Sequence, residues 1–60
     1  MLLKIGSKGE LVKDVQEVVG VPADGHFGPA TAEAVKKWQA ANGLVADGIV
    51  GPATYAKMMA

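Results

Sequence analysis

The chain carries a single histidine, His26, inside the stretch Ala23-Asp24-Gly25-His26-Phe27-Gly28-Pro29-Ala30-Thr31. An aspartate close to a histidine can begin a metal site or a general acid–base pair, provided that partners exist. They do not. One histidine and no cysteine cannot supply the three ligands of a hydrolytic zinc site. A calcium loop needs oxygens spaced along the turn, and Gly25, Phe27 and Gly28 stand where the pattern requires them. Ser7 lacks the strand–turn–helix elbow of an activated nucleophile. It lies three residues before Glu10, and that spacing reads as a capping box at a helix start. Glu10, Glu17 and Glu33 fall on exposed helix faces, without the dry pocket that keeps a glycosidase acid protonated. Gly6-Ser7-Lys8-Gly9 lacks the longer glycine spacing of a phosphate loop. The inventory speaks against an enzyme, and the expected metals and cofactors are none.

The Asp-Gly stretch is not unique. At an offset of 23 residues, positions 8–37 align with 31–60, and twelve of the thirty pairs are identical. Unrelated stretches would give about two. The shared residues include Gln16/Gln39, Gly20/Gly43, Asp24/Asp47, Gly25/Gly48, Gly28/Gly51, Pro29/Pro52 and Thr31/Thr54. Each unit therefore reads as a helix, a glycine stop, an Asp-Gly loop and a proline start. Leu11, Val12, Val15, Val18 and Val19 recur at helical spacing as one apolar stripe. Gly20 and Pro22 end that helix. Pro29 opens a second, with Val35 and Trp38 on its buried face, and Gly43 closes it. Pro52 opens a short third, whose inward residue is Met58. Apart from a short extended piece at residues 2–5, strand alternation is absent. The fold class is all-α: a compact three-helix domain built from two 23-residue helix–loop repeats.

Sixty residues with six lysines and six acidic residues make one neutral domain, 1–60. Zero net charge argues against nucleic acid and anionic membrane, since both favour a basic face. No apolar run approaches the roughly 18 residues of a membrane span. Without cysteine there is no disulfide framework. Met1-Leu2-Leu3-Lys4-Ile5 is too short and too soon polar for an export signal. A monomeric binding module is expected.

The pattern Gly9, Val12, Val15-Gln16, Gly20, Asp24-Gly25-x-Phe27-Gly28-x-x-Thr31, Ala34-Val35, Trp38-Gln39, Gly43-Leu44 and Asp47-Gly48-Ile49-Val50-Gly51-x-x-Thr54 resembles the bacterial peptidoglycan-binding domain. That family is the three-helix module appended to cell-wall amidases, endolysins and lytic transglycosylases. The resemblance covers Gly6 to Met58, and the doubled loop motif makes it specific. Trp38 departs from the usual phenylalanine but keeps an aromatic. The resemblance implies non-catalytic binding of peptidoglycan at the cell wall, periplasmic or extracellular, in a bacterial or phage protein. It also implies a cell-wall hydrolase fused to the module or working with it.

Two readings attach to the loops. Asp24 and Asp47 can accept backbone N–H groups in their own turns, Gly25 and Gly48 tolerate positive φ, and Thr31 and Thr54 can reach free groups in the first helical turn. Gln16 and Gln39 would bond the backbone of the loop that follows. These structural roles rank first. The loops also lie at helix N-termini, whose donors suit the carboxylates of a stem peptide. Where the repeats disagree, the resemblance implies that Phe27 and Val50 take the family's core positions, while His26, Ile49 and Tyr55 lack a periodic packing reason. The expected ligand site is therefore Asp24, Gly25, His26, Asp47, Gly48, Ile49 and Tyr55, as a shallow groove between the two loops. With Phe27 and Trp38 used in packing, the ligand is expected to be the peptide stem or the sugar–peptide junction. The rival function is a protein-interaction or structural module of a phage particle or secreted complex.

Overall fold

The computed structural model describes residues 2–60; Met1, the first residue of the expected domain, lies outside them. Glycine and proline set the helix boundaries. Helix α1 spans Glu10–Val19, α2 Pro29–Ala41 and α3 Pro52–Met58. Pro29 and Pro52 occupy the first helical positions, where the missing N–H costs nothing and φ is already helical. Gly20 ends α1 in the left-handed region at φ 84°, with its N–H and that of Val21 both donating to the Gln16 carbonyl. Asn42 caps α2, its side-chain amide donating to the Trp38 carbonyl, and Gly43 follows at φ 71°.

The start of α1 differs from the expected capping box. Gly9 is the N-cap at φ 125°, and no side chain caps the helix. Gly6, at φ 101°, also leaves helical space, so the helix cannot reach back to Ser7. Ser7 Oγ instead accepts from the Lys4 N–H at 3.1 Å, and Glu10 pairs with Lys13 at 3.5 Å. The expected stripe narrows for a similar reason. Val12 and Val15 are fully buried and Val19 packs beside them, whereas Leu11 and Val18 face solvent. A helix crossing a small core at one angle covers little more than one row of side chains.

The core is Leu3, Val12, Val15, Phe27, Val35, Val50 and Met58, with Val19, Ala32, Trp38 and Tyr55 packed against it. Trp38 is thus a flank of the core and not its centre. Among the described residues there is no strand, but two isolated antiparallel bridges join Leu3 to Val50 and Lys8 to His26. The N-terminal segment thereby crosses both loops at matched places. Leu3 and Val50 exchange N–H···O=C bonds at 2.9 and 2.8 Å, Gly6 N–H donates to the Phe27 carbonyl and Phe27 N–H to the Ser7 carbonyl, both at 2.9 Å. Phe27 and Val50 are repeat equivalents, so one extended segment ties the two loops together. Among the described residues no helix is long and apolar enough to cross a membrane.

Candidate functional site

Each Asp-Gly loop is built around a buried glutamine. Gln16 Nε2 donates to Asp24 Oδ1 at 2.9 Å, the His26 carbonyl at 3.0 Å and Thr31 Oγ1 at 3.1 Å. Its Oε1 accepts the Gly25 N–H at 2.9 Å. Gln39 repeats the set with Asp47 Oδ1 at 3.1 Å, the Ile49 carbonyl at 3.0 Å, Thr54 Oγ1 at 3.3 Å and the Gly48 N–H at 2.9 Å. Only a primary amide fits, because the site needs a two-hydrogen donor facing three acceptors and an acceptor facing one N–H. Placing such a group in a core is tolerable because it is satisfied; among the described residues no buried side-chain polar atom lacks a partner.

The aspartates complete the turns. Asp24 Oδ1 accepts from His26 N–H, and Asp47 Oδ1 from Ile49 N–H, each at 2.9 Å. The Asp24 carboxyl is held below the ordinary aspartate value first by that backbone N–H, then by the Gln16 amide, with the His26 ring contributing its charge. Asp47 is lowered by the Ile49 N–H and then the Gln39 amide, without a histidine neighbour. The threonines take the role of acceptors for glutamine, a contact that spacing along the first helical turn does not reveal.

Gly25 and Gly48 sit at φ 78° and 74° and are buried beneath lysine stems. A β-carbon on Gly25 would lie 3.4 Å from Lys13 Cε; one on Gly48 would lie 3.3 Å from both the Ala32 carbonyl oxygen and Lys36 Cε. Backbone atoms of these glycines therefore support the loops from within, and the neighbouring side chains form the rims.

The expected site residues divide between separate grooves. Asp24 and His26 line a 350 Å³ groove with Pro22, Phe27 and Pro29. Asp47 and Ile49 line its repeat counterpart, 290 Å³, with Leu2, Val45 and Pro52. Asp47, Gly48 and Ile49 also line a third groove of 410 Å³ with Lys4, Ile5, Ala32 and Lys36. None of these three grooves brings His26 and Ile49 together. His26 is exposed, Ile49 forms a ridge shared by two grooves, and Tyr55 is half-buried against the core away from all three. Lys4 and Lys36 escape a reading by repeat divergence, since Lys36 matches Lys13 and Lys4 precedes the repeat. Among the described residues no group of three or more histidine, cysteine or carboxylate side chains is placed to hold a metal ion.

The family model described as "Putative peptidoglycan binding domain" matches residues 14–58. Two solved structures share the fold closely. One is a fused zinc-dependent amidase/peptidase/peptidoglycan-binding-domain-containing protein from Clostridium acetobutylicum ATCC 824, at 33% identity and TM-score 0.90. It is matched over 97% of this chain and 28% of that one. The other is the endolysin of Burkholderia AP3 phage, at 38% identity and TM-score 0.92, over 100% of this chain and 25% of that one. This chain thus spans roughly a quarter of the length of either protein. No curated protein matches it.

Proposed function

The chain belongs to the peptidoglycan-binding domain family, and from that premise we propose that it is a non-catalytic anchor that holds a cell-wall hydrolase, fused or associated, at its polymer. Anchoring raises the local concentration of a catalytic unit without any new chemistry. The supporting observation is the pair of glutamine-pinned loops, which fixes the backbone and leaves the rims open. On this reading the ligand contacts divide between the two loops, Asp24 and His26 at the first and Asp47 and Ile49 at the second, with Gly25 and Gly48 acting through loop shape and Tyr55 through its packing against the core. The ligand is the peptide stem or the sugar–peptide junction, because Phe27 and Trp38 are committed to packing and Tyr55 is half-buried against the core, which leaves little aromatic surface for a sugar face.

Affinity is modest, since open grooves cover little of a ligand and association itself is costly. Sedimentation with purified peptidoglycan sacculi tests the proposal. The chain is expected in the pellet, and retention in the supernatant at every concentration would refute it. Action at the cell wall follows from the same reading.

A further inference from the structure

Resting on the peptidoglycan reading, we propose that the groove between the N-terminal turn and the second loop is an anion-selective subsite for a carboxylate-bearing, alanine-type peptide. Its walls come from three separate parts of the chain: Lys4 and Ile5, Ala32 and Lys36 of α2, and Asp47 to Ile49.

The charge argument is local. Among the described residues the only ion pair is Lys13 with Glu10. Lys36 occupies the position equivalent to Lys13, yet Glu33, the counterpart of Glu10, makes no pair with it. Its stem covers Gly48, where a β-carbon would come within 3.3 Å of Lys36 Cε, and it lines the groove. Lys4 likewise has no carboxylate partner. Asp47 is the one carboxylate in the groove, and its Oδ1 is already engaged by two N–H donors from within. Two ammonium groups against one internally bonded carboxylate leave a net positive groove in a chain of zero net charge.

A second observation concerns Ile5. Its side chain is 60% exposed although its backbone is held on both sides. Lys4 and Ser7 exchange hydrogen bonds at 2.9 and 3.1 Å, Leu3 is paired with Val50, and Gly6 donates to Phe27. An isoleucine fixed in place but not packed offers a preformed apolar surface, with Ile49 and Ala32 opposite. Small apolar contacts flanked by cations suit a short peptide carrying methyl side chains and free carboxylates. They do not suit a neutral glycan.

The test uses the 60-residue chain and a synthetic stem pentapeptide ending in D-alanine. Companion probes are the same peptide with every carboxyl converted to carboxamide, and an N-acetylglucosamine oligomer. Titration followed by amide chemical shifts is expected to move Lys4, Ile5, Lys36, Gly48 and Ile49 with the free acid only. Lys4→Met and Lys36→Met should each weaken binding about threefold and the pair about tenfold, as for exposed ion pairs. Added salt should weaken the wild type more than the double variant. Lys37→Met, a charge-matched change outside the groove, should alter nothing. Equal binding of the carboxamide, shifts confined to another face, or unaltered affinity of the folded double variant would overturn the subsite. In those cases sedimentation with sacculi would persist and the broader reading would stand. Failure of the wild type to pellet would remove both.

Discussion

The two Asp-Gly loops share an interior and differ at the surface. Inside, Gln16 and Gln39 make the same four contacts to the same types of partner. Outside, Ile49 and Val45 of the second loop stand where the first has His26 and Pro22, and the segment before the repeat meets the first loop through Gly6 and Ser7 but lays Lys4 and Ile5 along the second. The cause lies one turn upstream. Within the repeat, α2 begins at Pro29, whereas Gly6 and Gly9 stand at the matching places before α1 and hold positive φ. That turn of helix is therefore missing from α1. Residues 6–9 instead bond Phe27 and Gly25 of the first loop, and Leu3, just upstream, pairs with Val50 and so brings Lys4 and Ile5 to the second loop. Duplication supplies a stable loop, and the place where duplication breaks supplies an asymmetric surface.

The largest expected effect tests the shared interior. Gln16→Leu or Gln39→Leu strands a buried glycine N–H and removes the partner of a threonine and an aspartate. Each unsatisfied buried group costs about 1–3 kcal/mol, so either change should cost about 3–5 kcal/mol. A domain this small has a total stability of about 5 kcal/mol, and urea melts by circular dichroism should show both variants largely unfolded. A mild loss at one site only would break the equivalence of the two knots.

Next come the buried glycines, where the loops should separate. Alanine at either position pays about 1–2 kcal/mol for a left-handed backbone. Gly48→Ala also presses on the Ala32 carbonyl, while Gly25→Ala meets mainly the flexible end of Lys13. Gly48→Ala should therefore be the more destabilising in the same melts. The reverse order would mean that α2 yields more readily than the lysine stem.

Acid provides a subtler comparison. Asp24 and Asp47 have carboxyls lowered in the folded state. Such groups stabilise the fold above the ordinary aspartate value, and that contribution is lost as pH falls through the lower folded value. Melting temperatures should decline below about pH 4. Asp24→Asn and Asp47→Asn keep the accepting oxygen and should flatten the decline, more so for Asp24, which also has the His26 charge beside it. Identical profiles for both variants would remove histidine from the account.

The smallest effect concerns α1. Leu11→Gln and Val18→Gln should change stability by no more than about 0.5 kcal/mol, because both side chains are exposed. Val15→Ala should cost about 2 kcal/mol at its fully buried position. Equivalent losses in denaturant titration would return Leu11 and Val18 to a buried stripe.

The sequence by itself determined the three helices, their proline starts, the left-handed Gly20 and the recurring loops, because these follow from fixed φ, positive φ and helical spacing over short distances. It also determined that Met58 turns inward, as the repeat counterpart of Val35, whereas the family resemblance places Phe27 and Val50 in the core. Tertiary structure alone decided the rest. The reach of Gln16 to Thr31, 15 residues away, has no local signature, because an amide near a helix end reads equally well as a solvent-facing side chain. Ser7 matched the spacing of a capping box, but two positive-φ glycines kept it out of the helix, a choice made by the pairing of residues 3–9 with both loops. The joining of Lys4 and Ile5 to Lys36 and Ile49 depends on that same pairing. Hydrogen bonds between Leu3 and Val50, 47 positions apart, exist only once the core has brought the chain ends together.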